Sequence, residues 1–305
     1  MSAIRAGQVG WIGTGKMGAP MASHLAAAGV AIQVFDTRPA SYAALLGDRV
    51  LAADSIEQIG RGCDVVFTSI PDDSVLLSVI EGDGKHPGLA ASMARGAILV
   101  ETSTVSPGAS QRASECLVAA GVRYVCAPVS GSTAIAQSGG LTVLASGDRT
   151  AWDEVEELLA RYSARRFWLG EGDAARYMKL VLNTLVGATA SVLGEALLLG
   201  ERGGLTRADM MNVILESAVS SPLLKYKTDT VTGLDRSPAF RLDQMVKDFS
   251  LIIDAARNED LELEVATLIF DQYQAANAEG RAGEDFFALV DWIGEAATGR
   301  QGSAG

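Results

Sequence analysis

Val9-Gly10-Trp11-Ile12-Gly13-Thr14-Gly15-Lys16-Met17-Gly18 is the stretch on which the fold turns. Val9–Ile12 is a short apolar run of strand type, and Met17–Ala28 behind it has an amphipathic helical pattern. Gly13, Gly15 and Gly18 between them fit G-x-G-x-x-G at the strand-to-helix turn, with Lys16 and Met17 completing it. Glycines there allow a tight turn and let the backbone approach a pyrophosphate, while the helix start offers N–H donors and a positive dipole end. Asp36 closes the next apolar run, where an acid that holds the ribose hydroxyls belongs. Strand, turn, helix and acid together predict a dinucleotide site. The carboxylate of Asp36 would repel a 2′-phosphate, so NAD is favoured. Arg38 could compensate for it, which keeps NADP open.

Apolar runs at Ala31–Phe35, Asp64–Ile70, Ala97–Glu101, Tyr124–Cys126 and Leu141–Ala145 read as further strands. Amphipathic segments at Ala40–Leu46, Ser74–Ile80 and Ser106–Ala120 alternate with them. This predicts an α/β, Rossmann-type doubly wound domain over residues 1–170. After Trp168-Leu169-Gly170 the pattern becomes helical throughout, predicting an all-α domain over 171–300. It opens with a long apolar helix from Asp173 to about Arg202, roughly 45 Å at 1.5 Å per residue. That length suits an inter-domain helix partly covered by a second subunit. Gly203-Gly204 should end it, and Thr206 with Asp209 forms a capping box for the next helix. Helices are further expected at Leu242–Asn258, Val265–Glu279 and Asp285–Ala297, and Thr298–Gly305 is expected to be disordered.

Composition narrows the partners. The net charge is −12 with no block of Lys or Arg, which disfavours nucleic acid. Cys63, Cys116 and Cys126 form no CxxC or Cys/His cluster, so no metal site or disulfide framework is expected, and free thiols suit the cytoplasm. Met1–Ala6 is too short and polar for a signal peptide. Leu180–Gly200 is apolar enough to raise a membrane span, but Asn183, Thr184, Ser191 and Glu195 favour a buried helix in a soluble protein.

Gly10 to Ala22 resembles the cofactor signature of the β-hydroxyacid dehydrogenases, which include 3-hydroxyisobutyrate dehydrogenases and tartronate semialdehyde reductases and are 6-phosphogluconate dehydrogenase-like. Four further segments are similar to that family in the same order. They are Val100–Pro107, Ala127-Pro128-Val129-Ser130-Gly131, Gly172 with Lys179 and Asn183, and Met245-Val246-Lys247-Asp248-Phe249. The resemblance implies an NAD(P)-dependent oxidoreductase acting at C3 of a small β-hydroxy or β-oxo acid, commonly a homodimer or homotetramer. It implies cofactor contacts at Ile70, Pro71, Thr104 and Lys247.

Hydride chemistry at a hydroxyl needs a proton partner for the oxygen. His24 lies within the first helix and His86 in a Gly-Lys-His-Pro-Gly loop, so both read as structural. Lys179 is the better candidate for general acid/base. It stands one helical turn before Asn183, amid Tyr177, Met178, Leu180, Val181 and Leu182. Asn183 would orient the lysine or the substrate oxygen. Ser130, Gly131 and Ser132 form a turn whose hydroxyls and N–H groups could hold a carboxylate. Lys247 has a plainer reading as a surface ion pair with Asp248. Ser132 and Ile135 stand where the family has glycines, which leaves the exact acid open. Two alternatives remain: an imine reductase, expected to carry Asp or Tyr in place of Lys179, and a non-catalytic dinucleotide sensor.

Overall fold

The computed structural model describes residues 8–302, so the reading of Met1–Ala6 falls outside it, as do Ser303–Gly305. By packing, the chain divides into two compact units, Met1–Lys179 and Leu180–Gly305. The division lies inside the long helix rather than ahead of it, because the first turn of that helix is hydrogen-bonded into the first unit.

The first unit contains strands β1 (Gln8–Ile12), β2 (Ile32–Phe35), β3 (Val50–Ala52), β4 (Cys63–Thr68), β5 (Ile98–Glu101), β6 (Arg123–Cys126), β7 (Val129–Ser130), β8 (Leu141–Gly147) and β9 (Ser163–Trp168). Their order is β3-β2-β1-β4-β5-β6-β8-β7, with β9 beside β8. Every pair from β3 to β6 is parallel, and β8 runs antiparallel to β6 and β7. This is the doubly wound sheet expected, with its crossover reversal between β1 and β4.

Register decides what the loops share. Ile12 lies opposite Phe35 and Thr68, Thr68 opposite Glu101, and Glu101 opposite Cys126. The C-terminal ends of five strands therefore form one row. The residues that follow them, Gly13, Asp36, Ser69–Pro71, Thr102–Thr104 and Ala127-Pro128, must emerge along a single edge.

Trp11 stacks on Phe67 at 5.0 Å between centroids, and Tyr162 meets both rings edge-on, which clamps β1 to β4. Burial pushes the Cys126 thiol up to about 11 and that of Cys63 to about 12. At pH 8 only about a thousandth of Cys126 would be thiolate, so an aromatic disulfide reagent should titrate one native thiol, the partly exposed Cys116. Three fast-reacting thiols would contradict this core.

Several elements depart from the sequence reading. Ala40–Leu46 is not one helix but two 3₁₀ turns, Pro39–Ser41 and Ala43–Leu45. Ser41 Oγ is bonded to Arg38 O at 2.8 Å and lies 2.6 Å from Thr14 Oγ1, which holds the chain against the glycine turn. The strands β3, β7 and β9 went unpredicted because they are short or, in Ser-Ala-Arg-Arg-Phe-Trp, carry charge at a sheet edge.

The second unit is helical, and no strand occurs beyond β9 among the described residues. The long helix spans Ala174–Arg202, followed by Arg207–Glu216, Pro222–Thr232, Leu242–Asn258, Glu264–Ala276 and Ala288–Gly302. Thr206 accepts the N–H of Asp209, as its capping role requires. The last helix continues through Thr298 to Gly302, so the expected disorder of Thr298–Gly305 is corrected over those residues. The expected Val265–Glu279 helix is broken after Ala276, where Gly280 takes φ +95 inside a wide turn.

Gly187 lies where a Cβ would collide with the ring of Phe249, and a Cβ at Gly194 would come within 2.7 Å of Ile293. These glycines interrupt an apolar helix because other helices pass directly over them. By length and hydropathy the long helix could cross a membrane. One face packs Ala190, Leu193 and Leu197 into the helical core, while Val181, Leu185, Val192 and Leu199 are exposed along another.

Candidate active site

The glycine turn is built from β1 outward. Gly13 N–H is bonded to Phe35 O at 2.9 Å, and Trp11 Nε1 donates to Gly13 O at 3.0 Å. Gly13 takes φ +88, and a Cβ there would strike Ser69 O; one at Gly18 would strike Gly13 O. Packing alone accounts for both glycines. Gly15 is different: a Cβ on it would meet nothing within 4 Å. Its bare α-carbon faces open space, as a turn approached by a phosphate requires. The helix behind it, Gly18–Ala27, starts with no side-chain cap and no acid in its first turn, which leaves its positive end for an anion. The residues present fit a dinucleotide.

Asp36 Oδ2 accepts the Thr14 N–H at 2.9 Å and Oδ1 accepts the Arg38 N–H at 2.9 Å. The acid therefore braces the glycine turn. Arg38 reaches it at 3.8 Å and is otherwise exposed, as is Lys16, whereas Met17 packs against the core. The neighbouring loops are tied together, Ile70 N–H to Ser103 Oγ at 2.8 Å and Thr102 Oγ1 to Thr68 O at 2.6 Å. Thr104 and Ile70 are partly exposed at this edge and Pro71 is exposed.

Ser130 ends β7 and pairs with Thr142 of β8. Gly131 takes φ +140, and Ser132 caps the short helix Thr133–Gln137 through its hydroxyl. The cap uses a lone pair of that hydroxyl and leaves its O–H free to donate to a carboxylate. Ile135 lies over Gly131, where a Cβ would come within 3.0 Å of its Cγ2. One side of the turn is therefore apolar. His24 Nε2 lies 3.0 Å from both Ala136 O and Gln137 O, a structural tie from the first helix to this segment. His86 pairs with Asp83 in an exposed loop, and its hydrogen bond holds the Asp83 carboxyl down at about 2.

Lys179 is buried, at 9% exposure. Asn183, four residues on in the same helix, is also buried and belongs to a polar cluster of the helical unit. Its Nδ2 donates to Asp248 Oδ2 at 2.6 Å, and Lys247 Nζ lies 3.4 Å from Asp248 Oδ1. The ion pair weighed for Lys247 is thus present, but its acid is buried and also fixes the Asn183 amide. Asp248→Ala should cost about 2 kcal/mol of stability in urea melts, because a buried hydrogen bond to a charged group is lost. An unchanged melt would remove Asp248 from this role.

Sequence reading gave Asp248 only a surface ion pair and passed over Glu101 and Arg176 as site residues. Glu101 is a charge ending an apolar run, which was the available signal, whereas Arg176 and Asp248 lie in helical stretches of mixed burial. Glu101 ends a strand buried at every position, and Arg176 follows the fully buried Ala175. Among the described residues no group of three or more His, Cys, Asp or Glu is placed to hold a metal.

Comparison with known proteins gives the family. Residues 8–170 match the NAD binding domain of 6-phosphogluconate dehydrogenase, and residues 172–293 match the NAD-binding domain of NADP-dependent 3-hydroxyisobutyrate dehydrogenase. The chain belongs to the β-hydroxyacid dehydrogenase family. It is 28% identical over 299 residues to 2-(hydroxymethyl)glutarate dehydrogenase of Eubacterium barkeri, covering 98% of each chain. The crystal structure of 3-hydroxyisobutyrate dehydrogenase from Salmonella typhimurium superposes with a TM-score of 0.82 at 25% identity, over 93% of this chain and 99% of that one. An imine reductase from Pseudomonas sp. has the same fold at greater distance, with a TM-score of 0.58 and 20% identity over 93% of this chain and 98% of that one. The protein is accordingly an NAD(P)-dependent dehydrogenase of the hydroxyacid type.

Proposed function

We propose that this dehydrogenase acts at C3 of a small β-hydroxy or β-oxo carboxylic acid, with Lys179 as the proton partner of the substrate oxygen. The observation that carries this reading is the burial of Lys179 in the helix that also carries Asn183. When bound, the nicotinamide supplies or accepts the hydride. In reduction the Lys179 ammonium holds the carbonyl oxygen and gives it a proton; in oxidation the neutral amine takes the hydroxyl proton. An ammonium shielded from water donates a stronger hydrogen bond than an exposed one. Asn183, steadied by Asp248, orients the reacting groups. The hydroxyls and N–H groups of the turn at Ser130, Gly131 and Ser132 receive the carboxylate, with Lys247 on the cofactor side.

NAD is the favoured cofactor, since Asp36 puts a carboxylate where NADP carries its 2′-phosphate. The test is a spectrophotometric screen of NAD and NADP against 3-hydroxyisobutyrate, 2-(hydroxymethyl)glutarate and related short hydroxy acids. Turnover with at least one acid, and a higher kcat/KM with NAD, are expected. Activity on cyclic imines alone would transfer the protein to imine reduction. Cofactor binding without turnover on either panel would leave a sensor.

The exposed row Val181, Leu185, Val192 and Leu199 supports a homodimer or homotetramer in which a second copy covers the long helix. Light scattering should give two or four chains, and a monomer would sink the assembly. Free, unpaired cysteines support a cytoplasmic setting.

A further inference from the structure

We propose that Arg176 and Glu101 form a buried positioning pair that sets Lys179 against the cofactor-side loop Thr102–Thr104; this rests on the role just given to Lys179. Both side chains have 0% exposure. The guanidinium donates through Nη2 to Glu101 Oε2 and through Nη1 to the carbonyl oxygen of Ser103. Glu101 Oε1 in turn accepts the Ser103 N–H at 2.7 Å. Both backbone polar groups of Ser103 are therefore held by the pair, and its hydroxyl accepts the Ile70 N–H at 2.8 Å. Thr104 is the next residue along.

On the helix side, Arg176 stands three residues before Lys179, on the same face one turn away. A planar guanidinium engaged at two nitrogens resists rotation as well as separation. Turning the first helical turn enough to move the lysine amine would break both bonds. The start of the helix is tied a second time, Ser110 Oγ to Asp173 Oδ1 at 2.6 Å and Ala175 N–H to Ser146 Oγ at 3.0 Å.

Stability is a poor explanation for the pair. Taking two charges out of water costs about as much as their attraction returns, and a buried ion pair can often be replaced by apolar groups without loss. Here the pairing is also incomplete, because Arg176 Nε is buried with no hydrogen-bond partner. What an apolar replacement could not supply is a directional link between the loop at the end of β5 and the helical turn carrying Lys179.

The test uses the full-length protein with two changes, the double variant Glu101→Gln/Arg176→Met and the single variant Arg176→Lys. In the double variant kcat should fall about a hundredfold, with KM and NAD affinity within about threefold of wild type, since small misplacements act on the reacting geometry. Amide exchange at 103–105 and 175–180, measured without ligand, should quicken about tenfold. Arg176→Lys should recover about tenfold of the lost kcat, because the charge is kept and the fork is not. A folded double variant with wild-type kcat, or unchanged exchange at both segments, overturns the proposal. So does a kcat loss that merely follows lost NAD affinity. If the double variant does not fold, Arg176→Lys decides alone: reduced kcat at unchanged NAD affinity supports the pair, and wild-type kcat overturns it. Wild type inactive on every hydroxy acid would defeat the substrate reading instead, with exchange still deciding the pair.

Discussion

Lys179→Ala is expected to lose about a thousandfold in kcat while binding NAD as wild type does, which fluorescence titration and steady-state assays would separate. General acid–base groups contribute about a hundredfold to ten-thousandfold, and alanine leaves no group in their place. Cofactor affinity should survive because the features proposed to hold the nucleotide, Gly15, the uncapped start of helix Gly18–Ala27 and Asp36, are assembled by β1, β2 and β4 without Lys179. Arginine in its place should not rescue, since a guanidinium stays protonated and cannot take a proton from the hydroxyl. Retained turnover in Lys179→Ala would end the mechanism while leaving the cofactor site intact.

The second large effect is a contrast between two glycines of one turn. Gly13→Ala should destabilise the protein by several kcal/mol, because it forces a side chain into φ +88 and drives Cβ onto Ser69 O. Gly15→Ala should leave thermal stability within about 0.5 kcal/mol, since its Cβ meets nothing of the protein. Its NAD affinity should nevertheless fall at least about tenfold, because the methyl group enters the space a pyrophosphate would fill. Equal NAD binding by Gly15→Ala and wild type would show that the open space above Gly15 is not the phosphate site.

Much of the first unit was legible because its signals are local. A buried parallel strand needs a short apolar run, and a phosphate-binding turn needs glycines in fixed register with a helix start. Val9–Ile12 and Gly13–Gly18 carry both patterns within ten residues. The helix Leu242–Asn258 was likewise read to its ends, since its apolar residues recur on one face. The 3₁₀ turns after Asp36 were not legible, because they depend on Ser41 meeting Thr14, a contact between residues far apart in the chain. β9 was hidden for another reason. An edge strand buries little and can carry Arg165 and Arg166, so its sequence has no apolar run.

The candidate site divides in the same way. Lys179 and Asn183 stand out in the sequence because polar residues at helical spacing interrupt an apolar stretch. The partners that hold such groups do not, since hydrogen bonds to Asp248, or from Arg176 to Glu101, join segments 65 and 75 residues apart. By itself the sequence determined the doubly wound sheet, the helical second half, the cofactor turn and the residues with chemistry to offer. Periodicity and turn chemistry act between near neighbours, so they leave a trace in the order of residues. Only the tertiary structure decided which glycine faces open space, which hydroxyl caps a helix and which charges are buried together. Those outcomes depend on strand register and helix crossing, and they exist only once distant segments have packed.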